Sequence, residues 1–302
     1  MTALLNTVYA LALLILGTFI SAVVEQIVKR RRVSVGAFGS FARTLTRPDP
    51  GHKRIDRVLF FASPAVALSA VALSLLVIPY AGAFSSLPAP QWNVGLFFYL
   101  VVLDYMAVAL FMAGWGANQE KGTEAALMSA AQLISYIVPL GFSVTGVVMA
   151  AQTLAANDAI YAQRHLWYIV WQPLGFAIYI VSAMAQTYRF PADLPLRPDA
   201  NALVEYQGAA GAIMKLALHG IWFAAASMAV VLFLGGFRGP LLPGVVWFGL
   251  KVVAVLFLMA WLGTRFKRLT LSQVVRGAWL IMIPASIVNV LIIGVLLILV
   301  KH

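Results

Sequence analysis

Eight apolar stretches, near residues 3–28, 58–80, 94–117, 125–153, 167–188, 210–236, 241–263 and 275–300, take up most of this chain. Each is long enough for a helix to cross a hydrocarbon layer of about 30 Å, which needs roughly 18 residues or more. Inside such a layer the backbone finds no water, so segments of this kind must satisfy their own amides as helices. The pattern predicts an all-α polytopic membrane protein with about eight transmembrane helices. The polar connections are too short to fold separately, so residues 1–302 are read as a single membrane domain. The first apolar run exceeds a signal-peptide core and lacks a basic stretch before it, which predicts a retained span. Composition agrees: 62% of residues are hydrophobic and 10% charged, against about 25% charged in soluble domains.

The net charge of +11 would suggest nucleic acid in a soluble protein. Here its distribution argues otherwise, and no nucleic-acid partner is expected. The first, third, fifth and seventh connections hold 16 of the 21 basic residues, beginning with Lys29, Arg30, Arg31 and Arg32. Basic loops stay on the cytoplasmic side, which places odd loops in the cytoplasm of a bacterial-type plasma membrane and both termini outside. Between Arg32 and Pro48, the residues Val33, Val35, Phe38, Phe41 and Leu45 recur among small and basic ones. That spacing predicts a short amphipathic helix lying in the interface after the first span, facing anionic lipid. Cysteine is absent and His52, His165, His219 and His302 are scattered. Disulfides, thiolate metal sites and protein-ligated iron–sulfur clusters are thereby excluded, and no metal site is expected.

Four segments carry a resemblance. Gly114-Trp115-Gly116-Ala117-Asn118 precedes Ala130-Ala131-Gln132-Leu133-Ile134-Ser135-Tyr136. Ala185-Gln186-Thr187-Tyr188-Arg189-Phe190-Pro191-Ala192-Asp193-Leu194-Pro195 follows, then Glu205-Tyr206-Gln207-Gly208 and Leu232-Phe233-Leu234-Gly235-Gly236. In order, spacing and surrounding spans these resemble the heel subunit of respiratory complex I, the bacterial NADH-quinone oxidoreductase, also found in related membrane-bound hydrogenases. The resemblance implies eight tilted helices around a cytoplasmic crevice that forms part of a quinone chamber, with buried carboxylates leading away from it. It implies soluble redox subunits on the cytoplasmic face, with antiporter-like and small helical membrane subunits alongside. Flavin and iron–sulfur clusters belong to those partners. Quinone is the expected substrate, and no cofactor is bound covalently.

Several family carboxylates are replaced. Ile137 follows the Ser-Tyr pair, Gln186 stands in the Ala-Glu-x-x-Arg motif, Leu196 and Pro198 follow Asp-Leu-Pro, and Leu218 and His219 occupy the sixth-span position. Met128, Gly263 and Thr270 stand where the family has arginines, and the first cytoplasmic loop is shortened. A proton path needs titrating groups or water within reach of one another, so any path here is rerouted, water-based or absent. The residues expected to line a quinone chamber are Arg189, Asp193 and Arg43. Those expected on a proton path are Asp104, Glu205 and His219, the last as a titrating substitute for the missing carboxylate. An ordinary reading stands beside each. Asp104 is a bonded polar residue, Arg189 and Asp193 form a local ion pair, Glu205 sits at a helix N-terminus, and His219 packs against its neighbours. Two functions follow: a working heel subunit coupling quinone chemistry to proton translocation, or an anchor that has lost that role. A third, an independent transporter, needs broken helices or a polar midplane site.

Overall fold

The computed structural model describes residues 2–30, 44–46, 55–80, 92–189, 191–240 and 242–301. Among them the structure is helical with no strand. The elements are α1 (Thr2–Arg30), α2 (Arg57–Val77), α3 (Gly95–Gly116), α4 (Glu120–Ala151), the short α5 (Ala156–Ala162) and α6 (Tyr168–Trp171), α7 (Pro173–Gln186), α8 (Gly208–Phe233) and α9 (Gly244–Arg265). α10 (Leu271–Gly277) continues through a π-turn at Ala278–Met282 into α11 (Ile283–Lys301).

Six of these, with α10 and α11 as one, are long and apolar enough to cross a membrane. The other two expected spans are α1, apolar over Leu14–Val28, and α7. The fifth span departs from expectation. Pro173 has no amide to donate, so the helix breaks at Gln172-Pro173 and α7 keeps 14 residues. That is about 21 Å of helix, short of the roughly 30 Å hydrocarbon layer.

α8 forms the centre. Its small residues, among them Gly211, Ala212, Ala217, Gly220, Ala224, Ala225, Ala226 and Ala229, let α1, α2 and α9 approach closely, and almost all of its apolar window is buried. A Cβ on Gly220 would lie 2.6 Å from Val71, and one on Gly17 would lie 2.4 Å from the Phe223 ring. The Gly114-Trp115 motif has the same cause: a Cβ on Gly114 would lie 2.4 Å from the Gly122 carbonyl of α4, so only glycine closes the α3–α4 hairpin. The last helix is the opposite, with Leu280, Ile281, Leu291, Val295, Ile298 and Leu299 exposed.

The Leu-Phe-Leu-Gly-Gly motif ends α8. Gly235 and Gly236 take positive φ (67° and 55°), and three carbonyls turn toward α9. Lys251 of α9 caps them, donating to Leu234 at 2.6 Å, Gly236 at 3.1 Å and Arg238 at 2.6 Å, with Trp167 stacked 4.3 Å from its ammonium. A buried cation is tolerated here because carbonyl dipoles and an aromatic face replace water.

Candidate functional site

The described residues between α7 and α8 are irregular, yet many of them are buried. Irregular backbone at membrane depth is stable only when protein satisfies its polar groups. Gln132 of α4 does so at one end, its Nε2 donating to Ala185 O at 2.5 Å and Ala192 O at 2.6 Å. Asn201 N reaches Lys121 O at 3.2 Å at the other. Gln132 lies eleven residues beyond Lys121 on one helix, so the segment climbs through a layer about 16 Å deep. It opens with Tyr188 at φ 54°, a left-handed turn that a tyrosine adopts only when its surroundings enforce it.

That turn sets Arg189 against α1 and α8. Arg189 Nη1 donates to Glu25 Oε2 at 2.7 Å, Nη2 donates to Leu218 O at 3.0 Å, and the guanidinium lies 4.3 Å from the Trp222 ring centre. His219 joins from the next residue of α8, its Nε2 3.3 Å from the same Glu25 oxygen and its Nδ1 2.9 Å from Lys215 O. Both ring nitrogens thus face oxygen atoms. A cavity of about 280 Å³ opens here, lined by Glu25, Arg189, Trp222, Met259, Thr264 and Phe266 among others. Behind its wall Arg189 Nε and Trp222 Nε1 are buried without a partner among the described residues.

The expected residues divide into separate groups. Arg189 and His219 meet at the crevice. Asp193 does not pair with Arg189, because the described residues from Arg189 to Asp193 are not helical; it takes Arg268 at 3.5 Å instead, tying the segment to the chain before α10. Asp104 of α3 accepts from Gln186 Nε2 across the α3–α7 contact, so a neutral amide occupies the position of the family's carboxylate. Glu205 accepts from Gln119 at the α3–α4 turn, away from Asp104. Its neighbour Tyr206 stacks on Phe60 at 4.1 Å and bonds Ser63 Oγ and Phe60 O, each at 2.7 Å. Burial pushes the Tyr206 hydroxyl up to about 12, against an opposing effect of the Ser63 bond. Arg43 and most of the expected interfacial helix lie outside the described residues. Thr44 and Leu45 are helical, and Thr44 Oγ1 accepts from Lys215 of α8 at 2.7 Å. Among the described residues no three His, Asp or Glu side chains converge as metal ligands.

Glu25 is the residue that sequence reasoning missed. Its signal was an acid inside the first apolar span, one turn before Lys29.

The chain matches the family described as NADH dehydrogenase over residues 6–294. It is 34% identical over 258 residues to the NADH-quinone oxidoreductase H subunit of Anoxybacillus flavithermus (strain DSM 21510 / WK1), covering 83% of this chain and 76% of that protein. The proteins of the same name from Bacillus thuringiensis (strain Al Hakam) and Bacillus anthracis (strain A0248) are 32% identical over 255 residues, 82% of this chain and 76% of each relative. A helical bundle with six membrane-length helices, carrying a match of that extent, leaves one assignment: the chain belongs to the NADH dehydrogenase family, as a multi-pass membrane protein of the same type as these H subunits.

Proposed function

We propose that this chain is the membrane-arm subunit of a complex I-like NADH-quinone oxidoreductase that seats the soluble redox arm and admits a quinone head group to the crevice between α1, α8 and α9. One observation carries the reading: the Arg189 guanidinium, held by Glu25 and stacked on Trp222, borders an open cavity whose walls are otherwise largely apolar. A quinone head group matches that lining, since it offers two carbonyl acceptors on a flat apolar ring. Glu25 lies at the same wall with His219 beside it, where reduction of the quinone raises the basicity of its oxygens. An anchor without a ligand role would fill this space with side chains, so the open crevice favours the working subunit.

The crevice lies at the end that receives residues 187–207 and the chain between α9 and α10. The charge bias makes this the cytoplasmic end of a bacterial inner membrane, with both termini outside. The soluble redox subunits dock here and supply flavin and iron–sulfur clusters, while antiporter-like and small helical subunits cover the exposed faces of α11 and its neighbours. Asp193, pinned by Arg268, borders the chamber entrance. Asp104 and Glu205 are the remaining carboxylates available to couple quinone chemistry to proton translocation.

The test is electron cryo-microscopy of the purified complex with a short-chain quinone or a head-group inhibitor. Density against Arg189 and Trp222 is expected. A crevice closed by side chains or by another subunit, with the inhibitor elsewhere, refutes the assignment.

A further inference from the structure

Of the 21 basic residues, only Arg164, Arg238 and Lys301 fall in the connections and terminus opposite the basic loops. Two of them meet. The Arg238 guanidinium lies 4.8 Å from the Tyr161 ring centre, and Arg164 follows Tyr161 by three residues, its amide donating to Tyr161 O at 3.3 Å. The buried Gln163 holds this arrangement. Its Oε1 accepts from Tyr168 N at 3.2 Å and Gly235 N at 3.0 Å, while its Nε2 donates to Ala159 O at 3.1 Å and Val231 O at 2.9 Å. One amide thus ties α5 and the start of α6 to the turn after α8. A Cβ on Gly236 would lie 2.4 Å from Ile160, so the two pieces of chain are in close contact. Arg164, next to Gln163, and Arg238, three residues past Gly235, therefore leave the same fixed corner.

Neither guanidinium has an acidic partner among the described residues. Arg164 Nε donates only to His165 Nε2, at 3.0 Å. Asp158, the one acid in the connections at this end, is exposed and in no ion pair among the described residues. Orientation in the membrane does not explain the two arginines, because they sit on the side from which the charge bias removes such residues. Their surroundings suggest another cause. Leu166, Val170, Trp171 and Leu174 are exposed on the stretch that leads into α7. α7 begins only at Pro173 and falls about 9 Å short of a full crossing, so this apolar strip runs beside acyl chains. Cations above such a strip stand at headgroup depth, where a phosphate offers oxygens to both guanidinium forks. A lipid whose headgroup adds an ammonium would bring a like charge to the arginines, which favours a net anionic one.

We infer that the corner formed by Tyr161, Arg164 and Arg238 binds the phosphate of an anionic phospholipid in the leaflet remote from the crevice, with its acyl chains along Leu166, Val170 and Trp171. The bound lipid completes the outer part of the span that the break at Gln172-Pro173 leaves short. This site is independent of what enters the crevice.

Native mass spectrometry of the detergent-purified complex, loaded with phosphatidylglycerol and then washed with phosphatidylcholine, tests it. The wild-type complex should keep one more phosphatidylglycerol than the double variant Arg164→Gln with Arg238→Gln. Equal retention by the two overturns the site, and so does a wild-type complex that exchanges all of its phosphatidylglycerol for phosphatidylcholine. Should the double variant fail to assemble, electron cryo-microscopy of the wild-type complex in phosphatidylglycerol decides. Phosphate density between the two guanidinium groups is expected there, and bare arginines or a carboxylate of another subunit in that place refutes the inference.

Discussion

The Glu25–Arg189 contact offers the sharpest quantitative test. Glu25→Gln keeps the shape and one neutral hydrogen bond but removes the charge that faces both Arg189 and His219. The pair is half-buried, with side-chain exposures of 21% for Glu25 and 14% for Arg189. Its strength should fall between an exposed pair, worth about 0–1 kcal/mol, and the roughly 3–5 kcal/mol lost on breaking a buried one. An interaction of about 1–3 kcal/mol follows, and a double-mutant cycle isolates it. The assay is kcat/KM for a soluble quinone analogue in the assembled complex, with Glu25→Gln, Arg189→Gln and both together. Each single variant should lose about 5–100-fold in kcat/KM, and the double should lose no more than the worse single. Losses that multiply to within about 0.5 kcal/mol of independence would show that the two residues do not act on quinone as a unit.

Three further outcomes follow from the packing. Gln132→Leu leaves Ala192 O without its bond while Ala185 O keeps the Tyr188 amide; a cost of about 2–4 kcal/mol should appear as accelerated protease cleavage within residues 187–207. Gly114→Ala forces a methyl to 2.4 Å from Gly122 O; a penalty of about 1–3 kcal/mol should lower the thermal inactivation temperature of the detergent-solubilised complex, with quinone KM unchanged. Lys251→Met uncovers three carbonyls at once; a loss of about 3 kcal/mol or more should reduce the amount of complex assembled in the membrane, and normal yield would contradict the capping role.

The spans were legible because hydropathy reports burial in lipid whatever the tertiary arrangement, and the helix ends fell within a few residues of the apolar runs. The break at Gln172-Pro173 was not anticipated, because Trp171, Leu174 and their neighbours keep the run apolar while the missing proline amide acts on the backbone alone. Arg189 and Asp193 sit four apart in a Pro-bounded loop and read as a local ion pair, but the non-helical backbone between them sends them to Glu25 and Arg268. Glu25 was passed over because an acid beside four basic residues reads as a solvated flank. Its role emerges only when Arg189, 164 positions away, arrives beside it. The contact between Asp104 and Gln186 spans 82 positions and is equally invisible to local pattern.

The short stretch from Gln186 to Arg189 joins two charged centres that lie on different helices. One end holds the Asp104 carboxylate, the other is clamped to Glu25, and Tyr188 between them is fixed in a strained turn with its ring packed inside. Three peptide units therefore set how far apart these two contacts can lie, and a substitution that removes either one leaves the strained tyrosine turn held from one side only.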